Sequence, residues 1–293
     1  MLHIYLYDIA LLNTMRSTAT TLLLISAMRS TATTCTLLLV STVNGLAIPS
    51  SPAEQTRRAI TSIRSAILEP SDKPKRLFID YLIPLPAETK EEDIDPWPGG
   101  LAQMYPYAED IIRDILKGVV NEAGQCSSQV LSAPDCCGFF IQESQEDPKK
   151  DVAAILFPSV DQLDDIERID EMVGPDRTLI LMNKQFQRPA DFGMSKSRSR
   201  SAIFDRFKWG FAFQELACRG EDVKLTFEHP NWYSCAVCDE DVDLGSQQIK
   251  LLEPQLERPA YEALEAKINE VLPEPLWMRK MGEAKDKGLK FQR

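Results

Sequence analysis

Apolar residues fall along this chain in two rhythms, and each rhythm predicts a different kind of element. At helical spacing, Ile60, Ile63 and Ile67 give one apolar face to a helix opening at Ser51-Pro52-Ala53-Glu54, where a serine cap, a first-turn proline and a glutamate three residues on make a capping box. The SDKPK turn ends it. Ala108, Ile111, Ile112, Ile115, Leu116 and Val119 keep the same spacing and predict a helix over 105–123. Leu163, Ile166, Ile169 and Val173 predict another, capped by Ser159 and Gln162, while Leu264, Ile268, Val271 and Leu272 predict a last one begun at Pro259. The second rhythm is the short continuous run bounded by turn residues. KRLFIDYLIP, CCGFFIQE, DVAAILFP and RTLILMN read this way as buried strands.

Strand, helix, strand with both strands apolar throughout predicts a parallel sheet covered on both faces. Beyond residue 200 the pattern changes: FAFQELA, VKLTFEHP, YSCAVCDE and IKLLEPQLE are short runs with no helices between them, so they predict antiparallel strands joined by hairpins. The expected fold is therefore α/β and three-layered, with a parallel strand-helix-strand half followed by an antiparallel half on the same sheet. One domain over 51–275 accounts for all of these elements. Residues 276–293 form a basic tail expected to be loosely held.

Composition narrows the partners. The chain has 293 residues, 44% of them hydrophobic, enough to fill a large core. Its formal charge of -11 opposes the polyanionic backbone of nucleic acid, so no nucleic-acid partner is expected. One run goes against that sign, KSRSRSAIFDRFK, with Lys196, Arg198, Arg200, Arg206 and Lys208. It reads either as a solvated loop or as a dock for an acidic partner or a phosphate. The seven cysteines are irregularly spaced and no Asn-x-Ser/Thr acceptor occurs, which points to a reducing compartment.

The first 47 residues read as a targeting leader. Between Ile9 and Ala53 there is no Asp or Glu, Ser and Thr abound, and the leucine runs are too short to span a bilayer. Met15 to Thr21 recurs as Met28 to Thr34, and Gly45-Leu46-Ala47 offers small residues for cleavage. Import into a plastid is the favoured address; ordinary secretion and a true start at Met28 are the alternatives.

Few constellations carry chemistry. No phosphate loop, dinucleotide-binding glycine pattern, nucleophile elbow or H-E-x-x-H is present. His3 lies in the leader, and His229, in FEHPNWY, reads as a strand-end structural histidine. Cys235 and Cys238 form a C-x-x-C and Cys136-Cys137 a vicinal pair, but the second pair lacks the spacer of a zinc knuckle, and a spacing of three within a strand sends the first pair to opposite faces. No metal or cofactor is expected. Glu91, Glu92, Asp93 and Asp95 match no cation loop and read as a solvated acidic segment. The strongest geometric claim belongs to the carboxyl ends of the parallel strands, where open α/β sheets bind ligands. Asp80, Ser159, Asp161, Asn183 and Gln185 fall there, although capping fully explains Ser159 and Asp161.

The stretch DYLIPLPAETKEEDIDPWPGGLAQMYPYAEDIIRDIL, followed in order by AAILFPSVDQ, TLILMNKQFQ and FEHPNWY, resembles a plastid and cyanobacterial family built on a domain of unknown function. That family includes the chloroplast low photosystem II accumulation protein three, and its domain also ends a chloroplast adenylate kinase. The resemblance covers about Pro52 to Leu272 and is most specific at Asp93-Ile94-Asp95-Pro96-Trp97-Pro98-Gly99-Gly100. It implies a soluble plastid protein, stromal or peripheral to thylakoids, and a non-enzymatic assembly or binding role toward a photosystem component, photosystem II in particular. It implies no catalytic residues. The prolines and Trp97 stiffen and anchor the acidic segment, which is expected to roof the strand ends. Contact residues expected on this basis are Asp93, Asp95 and Trp97, with Arg198 and Arg200 in the basic run and Trp232 in FEHPNWY. The rival expectation is a small-molecule or nucleotide-binding enzyme using the strand ends around Asp80, Asn183 and Gln185, and a third is a thiol or zinc regulator.

Overall fold

A computed structural model describes residues 48–86, 95, 97–122, 124–193, 201–238 and 247–286. The chain divides into two units, Met1–Ala47 and Ile48–Arg293; the first, expected from the sequence to be a targeting leader, lies outside the described residues. Helix α1 (Pro52–Leu68) starts where the capping box predicts, with Ser51 Oγ accepting from the Glu54 amide at 3.2 Å. The Glu54 carboxylate reaches back one residue further than expected, to the Ser50 amide at 2.9 Å.

Among the described residues, nine strands form one sheet. In chain order they are β1 (Arg76–Asp80), β2 (Cys126–Ser132), β3 (Cys137–Gln142), β4 (Val152–Leu156), β5 (Thr178–Met182), β6 (Lys208–Cys218), β7 (Glu221–Glu228), β8 (Asn231–Cys238) and β9 (Gln247–Gln255), and across the sheet they run β2-β3-β4-β5-β1-β6-β7-β8-β9. The pairs β4–β5, β5–β1 and β1–β6 are parallel. All pairs from β6 to β9 are antiparallel, as is the β2–β3–β4 edge. The α/β expectation holds, with the parallel half and the antiparallel half on the same sheet.

Side-chain alternation sorts the core into faces. Val152, Ala154 and Leu156 of β4, with Ile180 and Met182 of β5, face α1 and α2 (Gly100–Val120). Ala153, Ile155, Leu179 and Leu181 face α3 (Leu163–Val173). On β6, Phe211 and Phe213 join the first face, so Ala212 points to the other, where it packs with β7 and α4 (Tyr261–Val271). The helices thus make two outer layers about the sheet.

Three local expectations are corrected. Helix α2 begins at Gly100 rather than Tyr105, continuing across Pro106, and ends at Val120 because Asn121 turns left-handed at φ 59. β2 occupies a stretch read as a connection: CSSQVLS is an edge strand whose residues are mostly exposed, so it carries no apolar run. The tail is not all loose, since α5 (Leu276–Asp286) is tied to β7 by Arg279 Nη2, 2.5 and 2.6 Å from the two oxygens of buried Glu221. Among the described residues no helix is long and apolar enough to cross a membrane.

Candidate functional site

The strands β1 and β5 are adjacent and parallel, yet their outgoing chains part. After β1 the chain passes to α2 on one face; after β5 it lays Phe186, Phe192 and Phe207 on the other. Such a divergence opens a crevice at the carboxyl ends of the two strands, the position where open α/β sheets seat ligands. A cleft of about 1030 Å³ is found there.

Asn183 shapes its base. The residue leaves β5 left-handed, at φ 51, a conformation asparagine tolerates better than most. Its side chain then stands in for the missing strand: Oδ1 accepts from the Tyr81 amide at 2.7 Å and Nδ2 donates to the Tyr81 carbonyl at 2.8 Å. Asn183 is therefore a latch between the two strand ends. Gln185, beside it, donates to the Asn183 carbonyl at 2.7 Å.

The latch directs Lys184 inward. Only 8% exposed, it donates to the Phe186 carbonyl at 3.0 Å and to Gln187 Oε1 at 3.2 Å. Its ammonium lies 5.1 Å from the Phe78 ring centre, 5.4 Å from that of Trp209 and 5.6 Å from that of Phe186, a cation held among aromatic faces. Burial lowers its pKa, and the Asp80 carboxylate partly restores it. Asp80, the last residue of β1, shows the mirror image: burial raises its pKa, while Lys184, a hydrogen bond from Gln214 and Arg258 pull it back. Arg258 Nε donates to Gln214 Oε1 at 3.1 Å, so Asp80, Gln214 and Arg258 form one chain across the cleft.

The expected site residues divide. Asp80, Asn183 and Gln185 all line this cleft. Among the described residues, Asp95 and Trp97 do not: Asp95 Oδ1 accepts from the Trp97 amide at 2.9 Å in a turn leading to α2, and Trp97 packs on the core beneath α1 and α2, edge-on to Tyr107 at 5.6 Å. The expected roof over the strand ends is not formed by that tryptophan. Trp232 is 1% exposed, wedged between Trp209 and Phe227, so it props the cleft wall and offers no contact surface. Asp93, Arg198 and Arg200 lie outside the described residues. Elsewhere in the basic run, Arg206 is spent on Asp170 at 2.6 Å and Lys208 sits 3.8 Å from Glu69.

Ser159 and Asp161 serve as the cap and first turn before α3, with Gln162 reaching back to the Ser159 amide at 2.9 Å. His229 is structural in the same sense, its amide donating to Ser62 Oγ at 2.8 Å where β7 turns into β8. Burial pushes the Cys137 thiol up to about 12 and that of Cys235 to about 11. Among the described residues no group of three or more His, Cys, Asp or Glu side chains is placed to hold a metal ion.

Sequence reasoning missed Lys184, Gln214 and Arg258. Lys184 had a signal, a lone cation directly after an apolar strand at its carboxyl end. Gln214 sits inside an apolar run and Arg258 in a loop, and only the fold brings them to Asp80.

Residues 49–266 match the family model described as Domain of unknown function (DUF1995). The chain belongs to that family. Every residue of the cleft, from Phe78 to Arg258, lies within the matched span, whereas α5 lies beyond it. No curated protein matches the chain.

Proposed function

We propose that this DUF1995 chain is a plastid binding factor, non-enzymatic toward its partner, that serves the assembly of a photosystem component, photosystem II in particular, and that the cleft between the ends of β1 and β5 is its binding seat. The observation that carries the binding part is the cleft itself: a crevice at a topological switch point, with a rigid latch in Asn183 and fixed polar groups over an aromatic floor. Support for the plastid part comes from the acid-poor, hydroxyl-rich leader, and for the photosystem part from the collinear resemblance around DYLIPLP and FEHPNWY. Peripheral contact with a thylakoid surface fits the same reading.

The decisive experiment uses the tagged full chain, incubated with solubilised thylakoids and probed for photosystem II subunits. Retention that is lost in Arg258→Ala, at the rim of the cleft, and kept in the exposed helix variant Arg168→Ala is the expected result. Equal retention by all three proteins would refute the cleft as the seat, and no retention by any would refute the photosystem reading. A fluorescent fusion carrying residues 1–60 tests the address independently.

A second reading is favoured by one observation. Asp80 and Lys184, close enough to influence one another, have pKa values moved by burial in opposite directions, the pattern of an acid and base in a small-molecule or nucleotide enzyme. Turnover of a metabolite that is abolished by Lys184→Met, with photosystem assembly unchanged, would favour that reading over the first.

A further inference from the structure

The charges lining the cleft do not follow the charge of the chain. Lys184, Arg188 and Arg258 face it with Asp80 and Glu215, in a protein whose formal charge is -11. Most of these charges already have partners. Lys184 is enclosed by rings and by two acceptors, and Asp80 takes the Gln214 amide. Glu215 is paired with Lys224 across the β6–β7 ladder.

The two guanidinium groups differ. Arg258 lines the cleft with its guanidinium held in place by the Nε bond to Gln214 and by the Trp232 ring, 6.0 Å from the guanidinium carbon. Arg188, 80% exposed on the side of β5, approaches Asp191 with Nε at 3.9 Å. Two forked donors on one cleft suit an oxyanion, which a guanidinium binds through two parallel N–H bonds. Much of the remaining lining is aromatic: Phe207 and Phe213 are buried, and Trp209 and Phe78 are half-buried and held by neighbouring rings. Such walls accept a flat apolar body.

We infer that the cleft binds a small organic anion, a phosphate or carboxylate carried on a flat, ring-like apolar body, with Arg258 and Arg188 on the oxyanion and Trp209 and Phe78 against the ring. The inference rests on the cleft being a binding seat. It extends that proposal by naming the chemistry of the occupant. A volume of about 1030 Å³ is at the upper end of small-molecule sites, room for a ring system with its charged group.

Titration calorimetry on the full chain tests it with four probes: phenyl phosphate, benzoate, inorganic phosphate and phenol. The first two separate a phosphate from a carboxylate ligand, and the last two supply charge without ring and ring without charge. At least one of the ring-bearing anions should bind on the order of tenfold more tightly than inorganic phosphate or phenol. Arg258→Gln and Arg188→Gln should each weaken that anion on the order of tenfold, while Arg168→Gln on the exposed side of α3 should leave it unchanged. Saturation by neither ring-bearing anion, or equal losses in all three variants, would overturn the inference. The two failures are separable. Anion binding without retention of photosystem II subunits leaves the ligand inference standing and removes the assembly role, and retention sensitive to Arg258→Ala without anion binding does the reverse.

Discussion

Asp170→Ala should be among the most destabilising single substitutions in this protein, and the reason lies at the amino end of β1. Arg76, 2% exposed at its side chain, has every guanidinium donor used: Nε on the Asp170 carboxylate, Nη1 on the carbonyls of Lys75 and Arg177 at 3.1 and 2.9 Å, and Nη2 on those of Gly174 and Asp170 at 2.7 and 3.4 Å. These bonds join β1, the last turn of α3 and the start of β5. Asp170, 7% exposed, also takes Arg206 at 2.6 Å, but that side chain is 45% exposed and the bridge adds about 1 kcal/mol at most. Removing the carboxylate strands the Arg76 charge in the interior, a loss of about 3–5 kcal/mol. For a domain of this size that lowers Tm by about 6–20 °C. Chemical denaturation followed by intrinsic fluorescence reads the free energy, and calorimetry reads the Tm. The double variant Arg76→Met/Asp170→Leu separates a stranded charge from lost packing: it should recover most of the loss, because two apolar side chains leave no ion unpaired. A loss below about 1 kcal/mol in Asp170→Ala, or a double variant no better than the single one, would refute the reasoning. Binding at the cleft should survive, since Asp80 lies four residues along β1, about 13 Å away.

Gly118 sits where α2 crosses α1, and a Cβ there would fall 2.3 Å from Ile60 Cδ1; Gly118→Ala should therefore cost about 1–3 kcal/mol, seen as a lower denaturation midpoint with an unchanged slope. Cys137 and Cys235, with pKa values near about 12 and about 11, are about one part in ten thousand and one in a thousand thiolate at pH 8, so both should react with a thiol reagent far more slowly in the native protein than after unfolding. Asp80→Asn removes the carboxylate that supports the charge on Lys184, so the Lys184 amine should titrate still lower, measurable by nuclear magnetic resonance of that side chain; an unchanged or higher value would break the proposed coupling. Because burial raises the native pKa of Asp80, this group's contribution to stability is full below its ordinary value of 3.8 and is lost as pH rises through its native value. The stability of Asp80→Asn relative to the natural protein should accordingly rise over that pH window and level off above it.

The parallel core was legible because β4 and β5 are buried on both faces, which leaves continuous apolar runs, and because α3 between them shows a clean helical stripe and a cap. The edge strand β2 was not, since an exposed edge makes no hydrophobic demand on its residues. Asp80, Asn183 and Gln185 could be placed at the site by the rule for strand ends alone, but their roles could not. Asn183 proved to be a backbone latch, and the positive charge of the cleft comes from Lys184, Arg188 and Arg258, all three on loops whose sequence carries no periodicity. Trp97 and Trp232 illustrate the opposite error. A large aromatic in a conspicuous segment reads as a contact residue, yet each has an apolar neighbourhood of its own to fill.

The position of β1 has a consequence for how the chain is made. The first of the described strands to leave the ribosome is flanked by β5 and β6, which arrive roughly a hundred residues later. At about 5–20 residues per second, Leu77 to Asp80 wait on the order of 5–20 s for either neighbour. Any transport that requires an extended chain renews that wait at its destination. Until then an apolar ribbon with two unsatisfied edges is exposed, so newly made chains should depend on a holding chaperone far more than the finished fold does.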